Sequence, residues 1–327
     1  MSTRYGLGSK GVLQYAIEPA PYTKETPADT EFGVTSEDID PSNENPHTGL
    51  PTGGGGRQPY IQSPDPKEHT FDVPALLHTP DIPLEIAIGE RSESDETTYT
   101  SWLFTEAERL PTATIRHVQS DLDFVAHYVG CKADLTIDWT LGDPVEVSLD
   151  VQAAELDFDP AQSAPGISPT LPTDVSPYRA HMQGDLTITD STDDSLITEV
   201  ATITGGSWSI NNGLEPQHHG GDGEGANRNA YAIAETTAGD KYDLELDLNV
   251  TDTDLYNEAA NENRLVDAEI PFVREFDSGE IIDGMILRAD ECKVVDAPIS
   301  RPGEGVVEGS VSLQPQGGVE IEIREAQ

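Results

Sequence analysis

The chain has 327 residues, with 61 Asp and Glu against 18 Lys and Arg, and a formal net charge of -43. Nucleic-acid binding through a basic patch is disfavoured, because no run of Lys or Arg is present to release counterions from phosphates. The Debye length falls from about 10 Å at 0.1 M salt to about 3 Å at 1 M, so a surface this acidic suits concentrated salt.

The first strand expected is Gly11 to Ile17, ahead of Pro19 and Pro21. From residue 21 to 66 the chain is rich in Pro, Gly, Asp, Glu, Ser and Thr. That composition reads either as a solvated insertion or as an arm that orders against a neighbouring subunit. Strands are expected at Phe71 to Leu77, Leu84 to Ile88, Tyr99 to Phe104 and Thr112 to Val118. A first helix is expected next, with Ser120 as N-cap, Leu122, Val125, Tyr128 and Val129 on one face, and Gly130 at the C′ position. Strict alternation then places Ala133, Leu135, Ile137 and Trp139 on one side, with Asp134, Thr136, Asp138 and Thr140 on the other. After the turn Gly142-Asp143-Pro144, Val145, Val147, Leu149 and Val151 alternate with Glu146, Ser148, Asp150 and Gln152, giving a hairpin with one dry and one acidic side.

A second irregular connection covers residues 160–177. Further strands are expected at Ala180 to Thr189, Leu196 to Ile203 and Tyr242 to Val250, the last with Asp243, Glu245 and Asp247 on its polar face. A second short helix is expected at Asp254 to Asn261. Val266 to Phe272, Ile281 to Leu287 and Lys293 to Ala297 read as strands, and the chain closes on a hairpin of Val307 to Leu313 and Val319 to Ile323. About a dozen strands and two short helices, with no 20 to 50 residue repeat, indicate one all-β sandwich or barrel domain with minor α content and long loops. No stretch reaches 18 apolar residues and no signal peptide is evident, so a soluble protein made without export is expected, with no membrane partner.

The stretch from Gly205 to Thr236 contains two strand-like arms, Trp208 and Ile210 on the way in and Tyr231 and Ile233 on the way out, joined by a glycine-rich loop at about 213–229. His218, His219, Asp222 and Glu224 put four possible metal ligands in seven residues, but adjacent histidines diverge and the glycines fix no geometry, so a polar contact loop is expected and no cofactor. GxSxG, HExxH and phosphate-loop motifs are absent, and His117 and His127 are expected to be structural, so no enzyme is indicated. Cys131 and Cys292 are too few for a disulfide framework or zinc knuckle and are expected as free buried thiols.

Three segments carry a family resemblance: YGLGSKGVLQYAIEPAPYT at the start, LPTATIRHVQSDLDFVAHYVGCKADLTIDWTLGDPVEVSLDV, and SWSINNGLEPQHHGGDGEGANRNAYAIAETTAGDKYDLELDLNVTDTDLY. With them the chain resembles the tail tube proteins of long-tailed, non-contractile viruses, in the branch found in archaeal and bacterial siphoviruses. The matching motifs are Tyr128, Gly130 and Cys131, and Asn211, Asn212, Leu214, Glu215 and Pro216. Together with the acidic composition, the resemblance implies a haloarchaeal virus.

The resemblance implies a β-sandwich whose inner strands complete a barrel between subunits, in hexameric rings stacked into a tube that conducts viral DNA without sequence-specific binding. The partners implied are copies of the chain, the tape measure, tail terminator and distal tail proteins, in the virion tail after assembly in the host cytoplasm. Glu146, Asp150, Glu155, Asp243, Glu245 and Asp247 are then candidates to line the lumen, where repulsion keeps DNA from adhering. Trp208, Asn211, Asn212, Leu214, Pro216, His218, Arg228 and Tyr231 are candidates for the subunit interface. A halophilic secreted or surface β-sandwich binding module and a jelly-roll hydrolase are the competing readings.

Overall fold

The computed structural model describes residues 11–26, 42–43, 47–50, 61–64, 67–76, 82–119, 122–158, 178–179, 186–192, 196–200, 203–218, 229–236, 241–249, 265–277, 280–296 and 308–327. In chain order the first strands are β1 (Gly11–Ile17), β2 (Ser42–Asn43), β3 (His47–Leu50), β4 (Ile61–Pro64) and β5 (His69–Leu76). A single-turn helix, α1 (Glu85–Ile88), precedes β6 (Gly89–Asp95), β7 (Tyr99–Glu106), β8 (Ala113–Gln119), β9 (Phe124–Thr140), β10 (Glu146–Ala153) and β11 (Glu155–Asp157). Then come β12 (Leu186–Asp190), β13 (Leu196–Val200), β14 (Ile203–Ile210), β15 (Leu214–Gln217), β16 (Ala232–Glu235) and β17 (Tyr242–Asn249). The long β18 (Leu265–Asp277) and β19 (Glu280–Asp296) are followed by β20 (Glu308–Gln314) and β21 (Val319–Ala326).

The protein is an all-β sandwich with minor α content. One sheet runs β13–β12–β18–β19–β21–β7–β6 and the other β2–β5–β10–β9–β14–β17–β20, every neighbour antiparallel. Their inner faces share one core, in which Leu135, Ile137, Trp208 and Leu246 meet Phe104, Phe272, Leu287 and Ile321. Trp139 stands edge-on to Phe272, with ring centroids 5.3 Å apart. Cys131 and Cys292 are free thiols in this core. Two long strands turn the corners. The second half of β9 lies in the acidic sheet, while its first half pairs with β8 and β11 in a smaller sheet that ends on β1. β19 pairs with β21 through Gly284–Ala289 and with β20 through Lys293–Asp296.

Several sequence expectations are corrected. No helix covers 122–130: those residues form a turn and the start of β9. Val125, Ala126, Tyr128 and Val129 are all buried, so both faces of the strand are dry and the period of two is lost. Gly130 does take a positive φ, of 69°, but as the bend of β9 and not as a helix end; a Cβ there would lie 2.5 Å from Cδ1 of Tyr22. Leu84 to Ile88, expected as a strand, is the N-terminal edge and body of α1, fully buried against the core. The segments read as two strands at 281–287 and 293–297 are one strand, β19. The closing arms β20 and β21 do not pair with each other; each pairs with a different half of β19. Between residues 21 and 66 the described pieces include β2, which pairs with β5, and the β3–β4 pair. The helix expected at 254–261 lies outside the described residues.

Candidate functional site: an acidic sheet face

Alternation on β10 and β17 creates two acidic strand faces, and β9 with β14 places them on one surface. Register pairing gives four rows: Asp72–Asp150–Asp134, Pro74–Ser148–Thr136–Ser209–Asp243, Glu146–Asp138–Ser207–Glu245–Ser312, and Thr140–Gly205–Asp247–Ser310. Eight carboxylates therefore share a face with small hydroxyl side chains. Around Asp138, Glu146, Ser207, Glu245 and Asp247 the face sinks into an open groove of about 610 Å³.

Asp150 stands directly opposite both Asp72 and Asp134, and Glu146 opposite Asp138. Opposed like charges at this spacing cost stability. Burial raises the Asp134, Asp138 and Asp150 carboxyls above their ordinary value; the Asp150 charge adds to the rise at Asp134, and the Asp72 charge to that at Asp150. None of these four rows holds a cation, and Lys132, on the next row opposite Gln152, is committed elsewhere. Its Nζ donates to Glu235 Oε1 at 2.5 Å and to the Ile233 carbonyl at 3.1 Å.

That commitment closes one end of the face. The β15–β16 hairpin lies beside Lys132, and a strap of residues 18–26 lies beside the hairpin. Tyr22 Oη donates to the Ile233 carbonyl at 3.1 Å and accepts from its N–H at 3.0 Å. Glu18 anchors the strap by accepting from the Thr112 and Thr114 hydroxyls and from Gly130 N–H. Lys24 pairs with Asp157 at 2.6 Å.

Of the lumen candidates, Glu146, Asp150, Asp243, Glu245 and Asp247 come together on this face, whereas Glu155 sits on β11 opposite Val129, past the bend of β9. Asp72, Asp134 and Asp138 were not singled out. Asp134 and Asp138 were legible as the polar side of an alternating run, but their register against β10 and β14 is a long-range property. The interface candidates do not form one surface. Trp208 is 2% exposed and belongs to the core. Asn212 is buried: its N–H donates to Asp134, and its side-chain amide donates to the Ala87 and Ala133 carbonyls. Asn211 accepts from Gly213 N–H within the turn. Leu214 packs with Tyr22 against Ala154, Ala230 and Ile233. Pro216 is half-buried opposite Ile233, His218 is half-buried just after β15, and Tyr231 is 48% exposed.

Arg228, His219, Asp222 and Glu224 lie outside the described residues, and among those described no three His, Cys, Asp or Glu side chains are grouped to hold a metal ion. No described helix is long and apolar enough to cross a membrane. Residues 8–315 match the family model described as phage tail tube protein. The chain belongs to that family. No individual curated protein matches it. As a phage tail tube protein it is a structural component of the virion tail, assembling with copies of itself and with other tail proteins into a tube. The sandwich gives such a protein one face whose charge is left uncompensated by its own described side chains.

Proposed function

We propose that the chain forms hexameric rings that stack into the tube of a long, non-contractile tail, and that the acidic face lines the lumen through which viral DNA is ejected. The observation that carries this reading is the row structure itself: eight carboxylates on one sheet face with no Lys or Arg on their four rows, the amine of the adjoining row, Lys132, being held by Glu235. A wall of like charge repels a phosphate backbone and lets it slide past. Inner strands of neighbouring copies would join into one barrel, leaving no exposed sheet margins. The excess acidity of the whole chain supports a host living in concentrated salt, a haloarchaeon, with assembly in the host cytoplasm around a tape measure protein and between terminator and distal tail proteins.

The test is charge reversal in the virus. Asp150→Lys with Glu245→Lys slows genome ejection in a single-virion fluorescence assay while tails still assemble, and unchanged ejection and infectivity in virions with normal tails would remove the lumen assignment. Negative-stain images of the purified protein in molar salt are expected to show rings or tubes; compact monomers would defeat the tube itself.

A further inference from the structure

We infer that the sandwich carries an ionic-strength switch in its β5–β10–β9 ladder and none in its β19–β21 ladder. In the other sheet the β19–β21 ladder carries its own arginines. Arg288 bonds Glu269 and Glu322, each at 2.9 Å, and Arg324 bonds Glu322 at 2.6 Å and lies 3.8 Å from Glu280. Burial works against the Glu322 charge, but bonds from Arg324, Arg288 and Ser101 outweigh it and hold the carboxyl below its ordinary value. Arg274 adds a pair with Asp283 at 3.3 Å. In these pairs the favourable contacts are local, so added salt has little to improve.

The acidic sheet is the opposite case. Asp150 faces Asp72 from β5 and Asp134 from β9, and Glu146 faces Asp138. Their rows hold no cation, and Lys132, one row beyond Asp134, already serves Glu235. Cross-strand neighbours about 5 Å apart lie well inside the screening length at 0.1 M salt and beyond it at 1 M. In dilute salt the β5–β10–β9 ladder therefore opens locally, while the arginine-bonded ladder stays closed; in molar salt both are shut. This concerns the single chain and holds whichever surface lines the tube.

Hydrogen–deuterium exchange of the full chain at 0.1 M and 2 M NaCl tests the switch, after correction for the salt dependence of unstructured peptides. Peptides within 70–76 and 146–153 slow by about tenfold or more in the higher salt, while peptides within 284–289 and 319–326 change by less than about twofold. The double variant Asp72→Asn with Asp150→Asn is expected to exchange slowly in β5 and β10 at both salts, with its β19 and β21 peptides reporting that it is folded. An equal response of both sheets would mean that salt acts on global unfolding alone, and no response in β5 and β10, or one that the double variant keeps, would equally overturn the switch.

Discussion

Gly206 stands opposite Trp139 across the β9–β14 ladder, and a Cβ there would lie 2.5 Å from Cζ2 of Trp139 and 2.6 Å from the Glu245 carbonyl oxygen. The indole thus occupies space that any other residue at 206 would claim. Trp139 also meets Phe272 across the core, so it cannot retreat without disturbing the opposite sheet. Gly206→Ala is expected to cost about 1–3 kcal/mol through overpacking, read as a lower urea midpoint at unchanged m-value. A midpoint equal to wild type would show that the indole has room to move.

Strands decide how this chain protects its sheet margins. β6 presents Glu90, Arg91, Glu93 and Asp95 along an edge that pairs only with β7 among the described residues, a charged margin that discourages stray pairing. β16 uses another device: the Ile233 amide and carbonyl, turned away from β15, are taken by the Tyr22 hydroxyl and the Lys132 amine. Tyr22→Phe removes one bond to each group and is expected to cost about 1 kcal/mol, with faster amide exchange at Ile233; unaltered exchange there would deny the hydroxyl its capping role. Much of this was legible beforehand where one side of a strand is wet. Val147 to Val151 and Tyr242 to Asn249 alternate because their outer residues are polar or charged, and both lie in strands. Where both sides are dry the pattern misleads: Val125, Tyr128 and Val129 fall at helical spacing by accident on β9. The five residues from Leu84 to Ile88, too few to distinguish strand from helix, turn once as α1. Alternation also says nothing of partners. The acidic sides of β10 and β17 were each visible, but their union on one surface depends on β9 and β14 lying between them.

Across the whole molecule two sets of titrating groups pull in opposite directions. Burial lowers His127 from 6.5 to about 4, helped by the Lys24 and Arg116 charges, and burial lowers His117 as well. In that interval the unfolded chain binds protons that the folded one refuses, so these histidines withdraw stability as pH falls from 6.5 toward 4. The raised carboxyls of Asp134, Asp138 and Asp150 do the reverse: they hold protons when folded that the unfolded chain has released, so their contribution improves as pH falls through their raised values toward about 3.9. His127→Gln is therefore expected to lose less stability than wild type on acidification from pH 6.5 to 4.5, measured by urea midpoints; parallel curves for the two proteins would assign the acid response elsewhere. The same molecule is tied together lengthwise by β9, whose 17 residues serve two sheets in succession. Pulled end to end, such a strand bears tension as a spar does, its rungs on both flanks sharing the load and yielding together.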